Sequence, residues 1–249
     1  MVKEYTVILM NYNQGEKLTQ CINEWFNLPN ILQPEEIIVV DDGSIDLPEE
    51  DIKGVRFIRL EHTRHIAKMA NIGADACKTD WFIYWDPSHM ITYQYISKQL
   101  GLSNKDEWYI PIQIHIKKKD SVDLIFTPIK VCVPITNNEF LPTGLVMMHK
   151  DTFLYYNEAY DEGIGRYDMD YNYRWLLAGK KVYYCSDMYL FHISHDRSYQ
   201  TKKLVARNEF VYQNLLPKYK KDNITSLKKY INHSFPLNMN EELMWNTMI

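Results

Sequence analysis

Carboxylates and glycines gather between Tyr160 and Gly179, in the run YDEGIGRYDMDYNYRWLLAG. Gly163 and Gly165 free the backbone for a tight turn, and from Asp168 the apolar positions Met169, Tyr173, Leu176 and Leu177 keep helical spacing up to a Gly179 stop. The spacing predicts a loop-to-helix junction with Asp168 and Asp170 in the first helical turn. Unpaired N–H groups and the positive end of the helix dipole favour ionised carboxylates there. A carboxylate so placed can take a proton from a hydroxyl. The same residues also read as a capped helix, with Asp168 as the cap and Asp170 paired to Arg174 one turn later, and no chemistry attached.

Two short apolar runs end in further acids. Ile37-Ile38-Val39-Val40 ends in Asp41-Asp42-Gly43-Ser44, and Trp81-Phe82-Ile83-Tyr84-Trp85 ends in Asp86-Pro87-Ser88-His89. Buried strands read this way, and in open α/β sheets ligands bind beyond the carboxyl ends of the strands. Asp-Gly is equally an ordinary turn signal. Late in the chain His192 and His195 stand three apart, a spacing open to metal ligation or to hydrogen-bonded structural roles.

The elements that must position these groups begin with a βαβ unit. Tyr5 to Met10 reads as a strand. Leu18, Cys21, Ile22, Trp25 and Phe26 make one helical stripe ended by Pro29, and Ile37 to Val40 returns as a parallel strand. Val55 to Leu60 predicts a third strand and Ala67 to Cys77 a helix with small residues against the sheet. Trp108 to Ile116 and Val122 to Val133 read as a hairpin, and Leu145 to His149 and Lys181 to Cys185 as strands. Beyond Ser198 the chain reads as helix, broken at Pro217, with a second short helix near Ser226 to Ile231.

A chain of 249 residues with 46% hydrophobic content can bury a substantial core. No run of eighteen apolar residues predicts a membrane span, and the start of the chain does not read as a signal peptide. Four scattered cysteines predict reduced buried thiols in a cytoplasmic protein. A net charge of −4 argues against nucleic acid as partner. The charge is uneven: from Thr201 onward eight Lys or Arg face four Asp or Glu. That basic tail reads as a solvated helical face or as a peripheral contact with an anionic surface. Oligomeric state is not legible.

The succession of βαβ start, VVDDGS, strand plus acid at Asp86, G-x-G-x-x-D-x-D helix and late histidine resembles the nucleotide-sugar-dependent glycosyltransferases of the GT-A fold, in particular family two, over residues 4 to 198. The resemblance implies an α/β, Rossmann-like fold with a mixed, mainly parallel sheet flanked by helices. It implies a glycosyltransferase domain at residues 1–198 and a helical extension at 199–249 packed on it. It also implies a UDP-sugar donor. Asp42 looks like the acid that holds uracil, with Asp41 beside it; Met10, Asn11 and Tyr12 line the base pocket, and Lys68, Asn71 and Trp85 lie near the nucleotide. Asp86 resembles the first acid of the DXD motif for ribose and a divalent metal, manganese or magnesium. His192 or His195 resembles the late metal-ligating histidine. Thr143 and Gly144 resemble the loop under the donor sugar, Asp161, Glu162 and Tyr167 fall where the acceptor would be contacted, and Asp168 matches the general base.

Two departures from the family pattern stand out. Ser88 replaces the second DXD acid, with His89 next to it, and manganese or magnesium prefers carboxylate and imidazole to a neutral hydroxyl. Tyr167 replaces the glutamate before the base. The reading is therefore an inverting transfer to a hydroxyl of a glycan or other acceptor, with a catalytically impaired GT-A-like protein that binds carbohydrate or nucleotide-sugar as the alternative. A nucleotidyltransferase shares the βαβ start but needs a glycine-rich basic loop after the first strand, and Asn11 to Glu16 has only Gly15, with Lys17 beyond it.

Overall fold

The computed structural model describes residues 4–48, 52–61, 66–116, 132–134, 145–161, 165–193 and 202–226. Its first sheet starts from β1 (Tyr5–Asn11) and β2 (Glu36–Asp41), joined through helix α1 (Gly15–Phe26) as a parallel βαβ unit. β3 (Val55–Arg59) extends the sheet beyond β2. Helix α2 (Ile66–Ala76) then carries the chain back across, and β4 (Trp81–Trp85) pairs in parallel with the other edge of β1. The strand direction of travel therefore reverses between β1 and β4. Crevices beyond the carboxyl ends at such a switch point are where open α/β sheets take ligands.

A short β5 (His89–Met90) leaves this sheet for a second one, followed by α3 (Tyr93–Leu102) and β6 (Glu107–Ile116). Thr92 caps α3 by accepting from the Tyr95 N–H at 3.1 Å. β7 (Cys132–Pro134) belongs to the second sheet, while β8 (Met147–His149) closes the first, antiparallel to β4, giving the order β3-β2-β1-β4-β8. After α4 (Tyr167–Leu177), β9 (Lys181–Ile193) lies between β6, which is parallel to it, and β5 and β7, which are antiparallel. Its register with β6 steps from Pro111–Cys185 to Ile112–Tyr189, so β9 bulges at 186–188. Helix α5 (Lys202–Asp222) follows.

The first sheet is buried on both faces. Tyr5, Val7 and Leu9 of β1 join Leu18, Ile22 and Trp25 of α1 on one side. Ile8 joins Ala70 and Ala74 of α2 on the other. The second layer is aromatic and continuous through Tyr84, Tyr156, Tyr171 and Trp175 to Val211, Leu215 and Tyr219 of α5. Each such side chain, fully buried, stabilises by roughly 1.5–3 kcal/mol. The described part of the C-terminal extension is thus built into the core. Gly73 permits the closest approach of α2 to the sheet, since a Cβ there would meet Ile8 Cγ2 at 2.4 Å.

The fold class is the expected one, with four local corrections. β7 pairs with β9 and not with β6, so the described ends of the expected hairpin flank a third strand; residues 117–131 between them lie outside the described residues. The late strand, expected at Lys181 to Cys185, continues to Ile193 through a bulge in which Asp187 is held by Lys98 and by Gln94 of α3. α5 runs through Pro217 to Asp222, held on either side of the proline by the wholly buried Leu215 and Tyr219. The second helix near Ser226 to Ile231 falls outside the described residues apart from Ser226. Last, Cys185 is disulfide-bonded, and its strand partner in β7 is Cys132, a juxtaposition that sequence spacing does not reveal. Free buried thiols remain at Cys21 and Cys77. Disulfides belong mostly to oxidising surroundings, so the cysteines no longer argue for a cytoplasmic setting. Among the described residues no helix is long and apolar enough to cross a membrane.

Candidate active site

The carboxyl ends of β1 and β2 are fastened together by three buried side chains. Asn11 stands opposite Asp41 in the ladder, and its Nδ2 donates to Asp41 Oδ1 at 2.7 Å and to Ser44 Oγ at 3.1 Å. The Ser44 N–H donates to Asp41 Oδ2 at 2.9 Å, and Ser44 Oγ accepts from the Asn13 N–H at 2.8 Å. Gly43, at φ 76°, supplies the left-handed step that this turn needs. Asn11 and Asp41 therefore hold the loop in shape. Asp42 follows them, nearly buried, with its N–H on the Asn11 carbonyl at 3.0 Å, while Met10 is half-buried and Tyr12 is 42% exposed at the same edge. Arg59, which the sequence reading did not single out, donates to the Ser44 carbonyl at 2.8 Å.

On the other side of β1, Leu9 pairs with Trp85, so Asp86 emerges at the level of Met10. Trp85 is wholly buried against Trp25 and Tyr95, and its Nε1 donates to the His89 carbonyl at 3.1 Å; it braces the turn from below. Asp86 is half-buried. Its Oδ1 accepts from both the N–H and the hydroxyl of Ser88, at 2.7 and 2.6 Å. The serine in the place of a second acid thus serves the first one. His89 and His192 are direct partners across β5 and β9, with ring centroids 4.6 Å apart, and His115 occupies the matching register position on β6. Among the described residues no three His, Cys, Asp or Glu side chains converge to hold a cation.

The acidic stretch separates its carboxylates by role. Gly165 and Arg166 both have left-handed φ values, 75° and 68°, and α4 starts at the next residue. Asp168 lies half-buried in the first turn. Asp170 is wholly buried, with Oδ2 accepting from Arg174 Nε at 2.8 Å and Oδ1 from the Tyr160 hydroxyl at 3.1 Å. The expected Asp170–Arg174 pair is present and structural. Asp161 is buried at the start of α2, where its Oδ1 accepts the Ala67 N–H at 2.9 Å; burial pushes its carboxyl up to about 7, against that hydrogen bond, which favours the ionised form. Asn71 is likewise engaged, donating to the Tyr156 carbonyl at 3.0 Å and accepting the Tyr156 N–H at 2.8 Å, while Lys68 is exposed on the first turn of α2. Asp161 thus fastens the acidic stretch to α2, and Asn71 fastens the segment just before it. Thr143, Gly144, Glu162 and His195 lie outside the described residues.

Aromatic contacts link the two halves. The Tyr156 ring lies 5.7 Å from Tyr84, the residue before Trp85 on β4, and 6.1 Å from Tyr167, the residue before Asp168. Met10 and Tyr167 pack on the same core cluster. Tyr156 thus bridges β4, which leads into Asp86, and the start of α4, where Asp168 lies half-buried.

The family model described as glycosyl transferase family 2 matches residues 6–164. The chain belongs to that family. The match covers the β1–β2 and β4 ends of the chain and stops before α4, so Asp168 lies beyond it. Among solved structures the chain is similar to the crystal structure of GalNAc-T7 with UDP, GalNAc and Mn2+, at a TM-score of 0.67 and 15% identity. That likeness covers 93% of this chain but 56% of the other, and shows the GT-A fold. No curated protein matches the chain in sequence.

Of the residues the sequence reading overlooked, Arg59 and Asn208 of α5 donate to backbone carbonyls, and Arg166 pairs with Glu209. Arg59, Arg166 and Asn208 carry no motif, and only their position in the folded chain gives them partners.

Proposed function

We propose that the chain transfers a hexosyl or N-acetylhexosaminyl unit from a UDP-sugar to a hydroxyl of a glycan or other acceptor, with inversion at the anomeric carbon and Asp168 as general base. The observation that carries this reading is the place of Asp168, half-buried in the first turn of α4 and joined through Tyr167, Tyr156 and Tyr84 to the strand end bearing Asp86. The UDP and GalNAc bound by the similar structure support a UDP-sugar as donor. Tyr12 offers an exposed ring for the base, Asp42 a carboxylate for its polar edge, and Lys68 a cation near the diphosphate. Asp168 takes the acceptor proton as the oxygen attacks from the face opposite the nucleotide.

The donor set fits a cation that arrives with the nucleotide. His89 and His192 pair across β5 and β9 and Asp86 opens the same turn; these groups do not converge on a cation by themselves, and magnesium-type sites are commonly completed by substrate phosphates. Asp86, His89 and His192 would hold the ion, which neutralises charge on the leaving diphosphate when bound. Replacing Asp168 by Asn should leave UDP-sugar binding intact and lower transfer about 10²- to 10⁴-fold. Near-normal turnover of that variant would remove Asp168 from the role.

The bonds from Ser88 to Asp86 favour one second reading, a protein that binds nucleotide-sugar without transfer. Donor hydrolysis in the absence of acceptor would exclude it.

A further inference from the structure

Helix α5 reaches the acidic stretch through one wholly buried side chain. Asn208 Nδ2 donates to the Tyr160 carbonyl at 3.0 Å and to the Gly165 carbonyl at 2.9 Å, so a single buried amide ties Tyr160 to Gly165 ahead of α4. Its Oδ1 accepts from Arg207 Nη1 at 2.9 Å, and that same Nη1 donates to the Ala159 carbonyl at 3.2 Å. The next residue, Glu209, forms an ion pair with Arg166 Nε.

Arg166 is the N-cap of α4 and holds φ 68°, a region a long side chain adopts only when its surroundings over-determine it. Its surroundings come from α5: Glu209 pairs with it and the Tyr212 ring lies 6.0 Å from its guanidinium. Its carbonyl accepts the Asp170 N–H at 2.9 Å, the bond that closes the first helical turn around Asp168. The backbone angles at Gly165 and Arg166 thus decide where α4 begins and which way the Asp168 carboxylate leaves it.

We propose that Asn208, with Glu209, is a positioning residue for Asp168, so that α5 is a working part of the transfer site although the family match ends before it. The proposal rests on the reading of Asp168 as the base. A group held by a buried amide donor to two carbonyls tolerates no acid in its place: Asn208→Asp keeps the shape and, when ionised, loses both donors.

The test uses the full chain, with UDP-glucose and UDP-N-acetylgalactosamine as donors and water as acceptor. Turnover is normalised to folded protein, and hydrogen exchange is followed over residues 165–170. Asn208→Asp and the milder, surface-side Glu209→Gln should both speed exchange over 165–170 while leaving β1 and β2 unchanged. They should lower kcat by about 10- to 100-fold and by a few-fold respectively, with KM for donor unchanged. Combined with Asp168→Asn, neither should lower kcat further, since both act through that carboxylate. Unchanged exchange at 165–170, or kcat losses that multiply in the double variants, would overturn the proposal. If Asp168→Asn itself turns over normally, the reading of the base fails first, and the exchange result separates the two.

Discussion

The carboxylate of Asp161 accepts the backbone N–H of Ala67 at 2.9 Å, across ninety-four residues of sequence. It joins the acidic stretch before α4 to the start of α2, at a site where burial opposes the charge that the helix terminus favours. Glu158 works in the direction of burial and Lys68 against it.

A pH dependence follows, with a defined sign. The Asp161 carboxyl rises from 3.8 to about 7 on folding, so the folded state holds the proton where the unfolded state has released it. Its contribution to stability is complete below the unfolded value and is lost as pH rises through about 7, by at most about 4 kcal/mol. Asp161→Asn retains an oxygen for Ala67 and cannot ionise. Urea unfolding between pH of about 4 and about 8 should show the wild type losing stability relative to this variant as pH rises. Parallel profiles would show that Asp161 does not carry the proton.

Arg174 sits wholly buried against Asp170, and also donates to the carbonyls of Tyr155 at 2.9 Å, Leu154 at 3.2 Å and Thr225 at 3.2 Å. Its charge is kept by Asp170 although burial alone would discourage it. Replacing Arg174 by Met strands a buried carboxylate, and should cost about 3–5 kcal/mol in urea unfolding. Arg174→Met with Asp170→Asn should recover part of that loss. A single variant within about 1 kcal/mol of wild type would mean that water reaches Asp170.

How far the sequence spoke can be judged at such residues. The parallel core was legible because Tyr5–Asn11, Glu36–Asp41 and Trp81–Trp85 are apolar runs closed by turn residues, and Asp170–Arg174 because a helical period sets its spacing. α4 was legible for the same reason. β7 was not, since strand pairing with β9 is decided by contacts far apart in sequence, and neither was α3, whose buried face is only Tyr95, Ile96 and Gln99. At the site, the family resemblance pointed to Asp41, Asn71 and Asp161 as ligand contacts, and the fold shows in addition that each bonds to a neighbouring loop, strand or helix end. Type alone cannot distinguish a carboxylate that meets a ligand from one that meets a backbone N–H.

Gly73 shows the same limit in the apolar core. A Cβ there would lie 2.4 Å from Ile8 Cγ2 and 3.4 Å from Val40 Cγ2, both on wholly buried, β-branched side chains. Gly73→Ala gains up to about 1 kcal/mol of helix propensity, against about 1–3 kcal/mol of overpacking. Stiff neighbours make overpacking the larger effect. The variant should be less stable by about 1–2 kcal/mol in urea; a more stable one would show that α2 can shift off β1.

Ser88 bears on metal binding in a way that separates free protein from the nucleotide complex. Its hydroxyl and N–H both bond to Asp86 Oδ1, and among the described residues no three His, Cys, Asp or Glu side chains converge to hold a cation. A donor set without a second carboxylate gives a hard cation little reason to dehydrate, whereas diphosphate oxygens would supply the missing charge. Calorimetry should therefore detect weak manganese binding to the free protein and at least tenfold tighter binding once UDP is present, by linkage in both directions. His192→Ala should abolish the gain while leaving UDP binding in EDTA unchanged. Ser88→Asp should raise affinity in the absence of nucleotide, because it restores a carboxylate two residues after Asp86. Tight manganese binding to the free wild type, unaffected by UDP, would instead mean that the chain completes the cage by itself.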